Sequence, residues 1–233
     1  MSTIAIITAR GGSKRIPRKN IKPFLGKPML VYSIEAALKA DIFDEVMVST
    51  DDEEIAQIAR EAGANVPFFR SERTANDFAT TSDVILEVLE EYEKRGKKFD
   101  SFCCIYPTAP FITPERLREG MQILQEQKPD SVMPVVSFSF PPQRCVVIQE
   151  ERLVPKWPEN MPRRSQDLEP YYHDCGQFYC VDTKRFLEER VILMPNTYPL
   201  ILSELEVQDI DNEVDWKLAE LKYRLLHENP NEA

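Results

Sequence analysis

The sequence predicts an α/β protein: a mostly parallel sheet with helices on both faces, and one excursion from the core. Three observations carry this. Short apolar runs alternate with amphipathic stretches from residue 3 to residue 136, the rhythm of βαβ units in which helices connect parallel strands. The length, 233 residues, suits one such domain. Prolines then crowd between Phe138 and Tyr172, where the alternation lapses.

Taken in order, Thr3–Ala9 reads as a first strand, since a continuous apolar run fits a strand buried on both faces. Pro28–Ala40 reads as a helix with Leu30, Ile34, Ala37 and Leu38 on one face. Glu45–Thr50 is a second buried strand, and Asp52–Ala62 a helix closed by Gly63. Val66–Phe69 is expected as a third strand. Thr81–Arg95 is helical through Val84, Val88 and Leu89, and Phe99–Tyr106 is a fourth strand. Thr113-Pro114-Glu115 opens a helix, with Thr as N-cap and Pro in the first turn. Ser131–Val136 follows as a strand.

The segment 138–172 carries Pro141, Pro142, Pro155, Pro158, Pro162 and Pro170 and reads as an antiparallel arm or lid. Leu153 and Trp157 are candidate buried anchors of a dimer contact; a solvated loop is the plainer alternative. Gly176–Val181 and Leu200–Leu205 read as further strands, and Val214–His227 as a last amphipathic helix. Residues 1–233 are thus expected to form one domain, with 138–172 as an arm within it. Right-handed crossovers align the loops after successive strands along one edge, where ligands of such sheets bind.

Composition excludes several classes. Hydrophobic residues at 42% and charged residues at 29% are ordinary for a soluble globular chain. No apolar run approaches the ~20 residues of a spanning helix, and the short N-terminal run lacks a small-residue cleavage pattern. Five cysteines form no CxxC pair, which points to reduced thiols in a cytoplasmic protein and away from zinc. A net charge of -10 argues against nucleic acid or an anionic membrane surface as partner.

Against that acidic background the first 34 residues contain seven basic side chains and no acidic one. Five of them follow the first strand in the run Thr8-Ala9-Arg10-Gly11-Gly12-Ser13-Lys14-Arg15-Ile16-Pro17-Arg18-Lys19-Asn20, and Lys22 and Lys27 come just after it. Glycines let backbone N–H groups approach a phosphate, and successive N–H groups form an anion nest. Arg10 offers a planar fork, and Lys14 and Lys19 offer point charges. The run is neither GxxxxGK[ST] nor GxGxxG. It predicts a polyphosphate cradle made by Arg10, Gly11, Gly12, Ser13, Lys14, Lys19 and Asn20, with Arg15, Arg18, Lys22 and Lys27 in supporting or solvated roles.

Asp209 and Asp211 are a second candidate group. On extended backbone, residues i and i+2 share a side, and two carboxylates there can hold a hard divalent cation, Mg²⁺, in oxygen coordination. Asp211 also stands where an N-cap of the last helix would.

Together with the basic run, Ser49-Thr50-Asp51-Asp52, Tyr106-Pro107-Thr108-Ala109-Pro110, Arg164-Ser165-Gln166-Asp167 and Asp209-Ile210-Asp211 occur in the order seen in the acylneuraminate cytidylyltransferases, which the chain resembles over most of its length. The resemblance implies a Rossmann-like, nucleotide-diphospho-sugar transferase type of fold. It implies transfer of CMP from CTP to the anomeric hydroxyl of a nine-carbon 2-keto sugar acid, with release of pyrophosphate. It further implies magnesium dependence and a homodimer built through the arm. By this resemblance Arg70 and Ser82 lie near cytosine, Lys14, Lys19 and Asp209 are the catalytic candidates, and Asp209 and Asp211 hold the metal.

Tyr106, Gln166, Asp167, His173 and Gln177 are the candidate sugar contacts. The sialic-acid pattern has Gln at Tyr106 and Arg and Asn at His173 and Cys175. The segment Tyr172-His173-Asp174-Cys175-Gly176-Gln177-Phe178-Tyr179 instead resembles the pseudaminic acid branch. Legionaminate and N-acetylneuraminate are the alternatives, and a non-catalytic nucleotide-binding scaffold is the reading from another class.

Overall fold

The structure, a computed structural model, describes residues 1–13 and 15–227. In chain order, β1 is Thr3–Thr8, β2 Pro23–Phe24, β3 Lys27–Pro28, α1 Met29–Ala40, β4 Glu45–Ser49 and α2 Glu53–Glu61. There follow α3 Glu72–Ala75, α4 Thr81–Lys94, β5 Ser101–Ile105, α5 Pro114–Gln127 and β6 Ser131–Ser137. The C-terminal part contains β7 Val146–Gln149, β8 Arg152–Pro155, β9 Tyr172–Asp174, β10 Phe178–Asp182, α6 Thr183–Glu189, β11 Thr197–Ile201 and α7 Glu213–His227.

The main sheet runs β11-β6-β10-β5-β1-β4, with β9 also paired to β6. The pairs β1–β4, β1–β5 and β11–β6 are parallel. Strand β10 is inserted antiparallel between β5 and β6, and β9 is antiparallel to β6. The sheet is therefore mixed around a parallel centre. The direction of a strand leaves no mark in its hydrophobicity, so β10 was not distinguishable beforehand.

Alternation along β1 feeds two cores. Ala5 and Ile7 pack with Leu30 and Ile34 of α1 and Leu117 and Met121 of α5. Ile4 and Ile6 pack on the other face with Val88 and Leu89 of α4 and Phe186 of α6. A third cluster joins Ile16, Phe24, Tyr32, Phe111, Ile210 and Trp216. It ties the basic run, through Ile16, to the Asp209–Asp211 segment, through Ile210.

The expected Thr113 cap holds, accepting from Arg116 N at 3.3 Å; in addition Asp52 accepts from Ile55 N at 3.0 Å, and Thr80 forms a capping box with Asp83. Two expected strands differ. Val66–Phe69 is not a strand: Asn65 bridges Met47, and Pro67 follows with no N–H to extend a ladder. The strand expected at Leu200–Leu205 lies earlier, at Thr197–Ile201, because Ser203 caps a tight 3₁₀ turn that ends it.

The proline-rich excursion contains the hairpin β7–β8, whose strands pair only with each other. Its tip places Glu150 and Glu151 at φ of 47° and 61°, the left-handed pair that a two-residue hairpin turn requires. Leu153 and Trp157, expected as buried anchors, are 70% and 39% exposed in the single chain. All five cysteines are free thiols. Among the described residues no helix is long and apolar enough to cross a membrane.

Candidate active site

A cavity of about 520 Å³ opens beyond the carboxyl ends of β1, β4 and β5, where α/β sheets bind ligands. The loop after β1 contributes Arg10, Ser13, Arg15, Lys19 and Asn20 to its lining. Arg70, Asn76, Asp77, Thr80 and Thr81 form a second side, and Tyr106 and Asp211 a third.

The loop is held from both flanks. Gly11 N donates to Asp51 Oδ1 at 2.9 Å, and a Cβ at Gly11 would stand 2.8 Å from Asp52 Oδ2, so only glycine fits there. A Cβ at Gly12 would meet nothing within 4 Å. Ser13 N bonds back to Gly11 O at 3.1 Å. Asn20, buried, donates to Arg10 O at 2.8 Å and so ties the two ends of the loop together. Arg10 pairs with Asp77 at 2.7 Å. Arg18 pairs with Asp52 and Glu54, outside the cavity lining. Lys14 lies outside the described residues.

Arg70 is 9% exposed and donates to Ser49 Oγ at 3.2 Å and Ser49 O at 2.8 Å, which locks the end of β4 to the cavity floor. Burial pulls its pKa down to about 10, so it stays charged at neutral pH. Ser82 does not line the cavity; Thr80 and Thr81, the preceding residues, do. One helical residue is a rotation of about 100°, enough to move a hydroxyl out of the cavity.

The buried side chain of Ile210 separates the two carboxylates. Asp211 lines the first cavity, while Asp209 lines a second one of about 400 Å³. The pair is therefore divided between two cavities, where a shared side had been expected. Lys19 Nζ donates to Ile210 O at 2.6 Å, and Arg15 pairs with Asp211 at 2.7 Å. Burial first, and then the Asp211 charge, push the Asp209 carboxyl above the usual aspartate range. Burial lowers the Lys19 pKa, opposed by Asp211 and Asp209.

Asp211 is not the cap of α7. Asn212 Oδ1 accepts from Val214 N at 2.8 Å and Asp215 N at 3.1 Å, while Asp215 accepts from the N–H groups of Asp211 and Asn212. Among the described residues no cluster of three or more His, Cys, Asp or Glu forms a complete metal site. Two hard carboxylates whose mutual repulsion raises one pKa do suit a cation that takes one or two carboxylates and draws its remaining oxygens from phosphate and water.

The second cavity is bounded by Val136–Ser139, by His173, Asp174 and Cys175, and by Val207 with Lys222. His173 rests against Phe138 at 4.8 Å between ring centroids, with Nδ1 2.9 Å from Asp174 O. Tyr106 faces the first cavity, not this one. Its hydroxyl is 3.3 Å from Thr81 Oγ1, and its ring meets Tyr179 edge-on at 5.6 Å. Tyr179 donates to Asp174 Oδ2 at 2.5 Å. Tyr106 is therefore in contact with a phenol that bonds Asp174, a residue lining the second cavity.

Gln177 lines neither cavity: it is 3% exposed, and Nε2 donates to Glu206 O at 2.5 Å, steadying the segment ahead of Asp209. Gln166 lines a third cavity of about 440 Å³ within the excursion, which shares the wall Ser137–Ser139 with the second. Asp167 pairs with Arg164. Sequence reasoning missed Thr81 and Asp77 and gave Arg15 only a supporting or solvated role. Thr81 had a local signal, as a hydroxyl in the first turn of a helix, and Arg15 had its place in the basic run.

Comparison with known proteins places this geometry. A family model described as cytidylyltransferase matches residues 4–195. The chain is 39% identical over 230 residues to a pseudaminic acid cytidylyltransferase of Campylobacter jejuni, covering 98% of this chain and 99% of the relative. It is 35% identical to a CMP-N,N'-diacetyllegionaminic acid synthase of Legionella pneumophila, covering 94% and 95%. Against an N-acylneuraminate cytidylyltransferase A of Danio rerio it is 36% identical, over 93% of this chain and 49% of the relative. Among solved structures, a CMP:2-keto-3-deoxy-manno-octonic acid synthetase complexed with CTP superposes with a TM-score of 0.68 at 19% identity, covering 98% and 100%, a likeness of fold.

Proposed function

The chain belongs to the cytidylyltransferase family, and from that premise we propose that it transfers CMP from CTP to the anomeric hydroxyl of a nine-carbon 2-keto sugar acid. The observation that carries this is the placing of Asp211 in one cavity and Asp209, two residues away, in another. One is edged by a cationic, glycine-bearing loop suited to a triphosphate. The other has an apolar wall of Val136, Phe138 and Val207 with polar groups opposite, suited to a sugar acid that lacks several hydroxyls.

In this reading the Gly12 N–H is offered to the phosphates, those of Gly11 and Ser13 being engaged within the protein, while Arg10, Lys19 and Asn20 line the cavity and Lys14 is the further cation of the run. Arg70 and Thr81 border the nucleoside end, where Thr81 takes the place expected for Ser82. The sugar hydroxyl attacks the α-phosphorus; its oxygen–phosphorus bond forms as the α–β phosphoanhydride bond breaks, and pyrophosphate leaves. Asp209, which lines the second cavity, is the carboxylate placed to accept the hydroxyl proton. Lys19 stays against Ile210 and offers positive charge to the departing phosphates. A divalent cation, when held by Asp209 and Asp211, supplies charge neutralisation at the α-phosphate. Positioning and charge therefore carry most of the catalysis.

Pseudaminic acid is the sugar that fits best, from His173 and Cys175, which line the second cavity in place of the sialic-acid Arg and Asn, and from the full-length 39% relative. His173 and Asp174 line its cavity, with Gln166 and Asp167 in the adjoining excursion. The exposed Ile148, Leu153 and Trp157 support a homodimer formed through that excursion.

The test is pyrophosphate release from CTP with a panel of pseudaminate, legionaminate and N-acetylneuraminate. Preferential turnover of pseudaminate is expected. Preference for N-acetylneuraminate removes the sugar assignment, and CTP binding without turnover of any sugar acid removes the enzymatic reading.

A further inference from the structure

The basic loop carries three arginines, and two of them have partners away from the carboxylate pair. Arg10 is tied to Asp77, and Arg18 to Asp52 and Glu54. Arg15 is different. Its Nη2 lies 2.7 Å from Asp211 Oδ1, and its side chain, 69% exposed, lines the same cavity as Lys19 and Asn20. Sequence reasoning had given it a supporting or solvated role.

We propose that Arg15 is an exchange residue: it competes with a divalent cation for Asp211 and releases that carboxylate by moving to a phosphate oxygen of the incoming triphosphate. The inference rests on reading the first cavity as the CTP site. Three physical arguments support it. A guanidinium hydrogen-bonded to Oδ1 places a full positive charge where a cation would need to coordinate, so the two ligands of Asp211 exclude each other. The ion pair is exposed, and exposed pairs contribute little, so exchange is easy. A phosphate also offers Arg15 two oxygens in the fork geometry that a guanidinium matches best.

Lys19 cannot play this part, because its ammonium is engaged by Ile210 O at 2.6 Å between the two carboxylates. Asp215 cannot replace Asp211 as an easy ligand, because its carboxylate is engaged by the N–H groups of Asp211 and Asn212. The consequence is an order of assembly. The cation reaches Asp211 together with the triphosphate and is disfavoured before it, so the site is not charged with metal that has no phosphate to act on.

The test measures Mn²⁺ binding to the full chain by the electron paramagnetic resonance signal of free Mn²⁺, without sugar acid, so that nothing turns over. Without CTP, Arg15→Ala should bind Mn²⁺ about 1.5- to fivefold more tightly than the wild type, the range an exposed ion pair allows. Arg15→Lys should fall between the two. Asp211→Asn added to Arg15→Ala should cancel the gain. With CTP present, the advantage of Arg15→Ala should vanish, and calorimetry in EDTA should show weaker CTP binding by that variant. Unchanged or weaker Mn²⁺ binding by Arg15→Ala without CTP overturns the proposal, as does a gain that survives Asp211→Asn. Failure of the wild type to bind CTP overturns the reading of the first cavity instead, a result the calorimetry separates from the first.

Discussion

Gly12→Ala separates stability from ligand binding at one atom. In the structure a Cβ at Gly12 meets nothing within 4 Å, and Gly12 is not among the residues with positive φ. The free protein therefore accepts alanine without strain. Alanine also narrows the unfolded ensemble, worth about 0.4–1 kcal/mol of added stability. For a chain of this size that raises Tm by roughly 1–4 °C. The same methyl group occupies space through which a phosphate must approach the backbone. Loss of one N–H bond to a charged oxygen costs about 1.5–3 kcal/mol, so CTP affinity should fall roughly 10- to 100-fold. Differential scanning fluorimetry without nucleotide and calorimetric titration of CTP read the two effects separately. Higher Tm with weaker CTP binding is the expected signature. Higher Tm with CTP affinity unchanged would refute the assignment of this loop as the phosphate cradle, because the methyl would then face bulk solvent in the complex too.

Lys19→Ala should raise the KM for CTP roughly tenfold or more, the loss of one charged contact; steady-state pyrophosphate release checks it, and unchanged CTP kinetics count against the lysine. Arg116 grips Glu206 at 2.8 and 3.1 Å and holds its carboxyl below the usual glutamate range. That stabilisation is complete above the unfolded value of about 4.3 and is lost as pH falls through the lower folded value. Glu206→Gln should therefore cost about 1–2 kcal/mol at pH 7 in urea unfolding, with a deficit that shrinks in acid; a deficit independent of pH contradicts the ion pair. Gly120 lies in α5, where a Cβ would stand 2.9 Å from Cys180 Sγ and 3.1 Å from Phe178 Cε2. Gly120→Ala gains about 1 kcal/mol of helix propensity against about 1–3 kcal/mol of overpacking, so a lower Tm is expected and a higher one shows that the core yields. Leu153→Glu should shift a dimer to monomer in analytical ultracentrifugation, and an unchanged mass removes the excursion from the interface.

Much of the site was legible because its parts are contiguous. The cradle is a single run after β1, the carboxylates are two residues apart, and the caps at Asp52, Thr80 and Thr113 are set by hydrogen bonds spanning three residues. Errors arose where one residue or one pairing decides. Thr81 and Ser82 are both small hydroxyls on a first helical turn, and only the packing of α4 chooses which one faces the cavity. Tyr106 was expected at the sugar, yet the edge of Tyr179 directs it to the nucleotide cavity. Gln177 was expected at the ligand, yet its amide is spent on Glu206 O. The strand expected at Val66–Phe69 failed at a proline, a signal that was visible in the sequence.

The sequence by itself determined the α/β class, the basic glycine-bearing loop after β1 and the identity of the paired aspartates, since each follows from residue types a few positions apart. The tertiary structure decided what these parts do to one another. Ile16 and Ile210, almost two hundred positions apart, share one buried cluster, and that burial brings Arg15 and Lys19 onto the Asp209–Asp211 segment. The drive to bury those side chains acts through space and carries no sequence spacing. Hence the charges were legible in the chain, while their pairing, and the division of the two carboxylates between two cavities, emerged only in the fold.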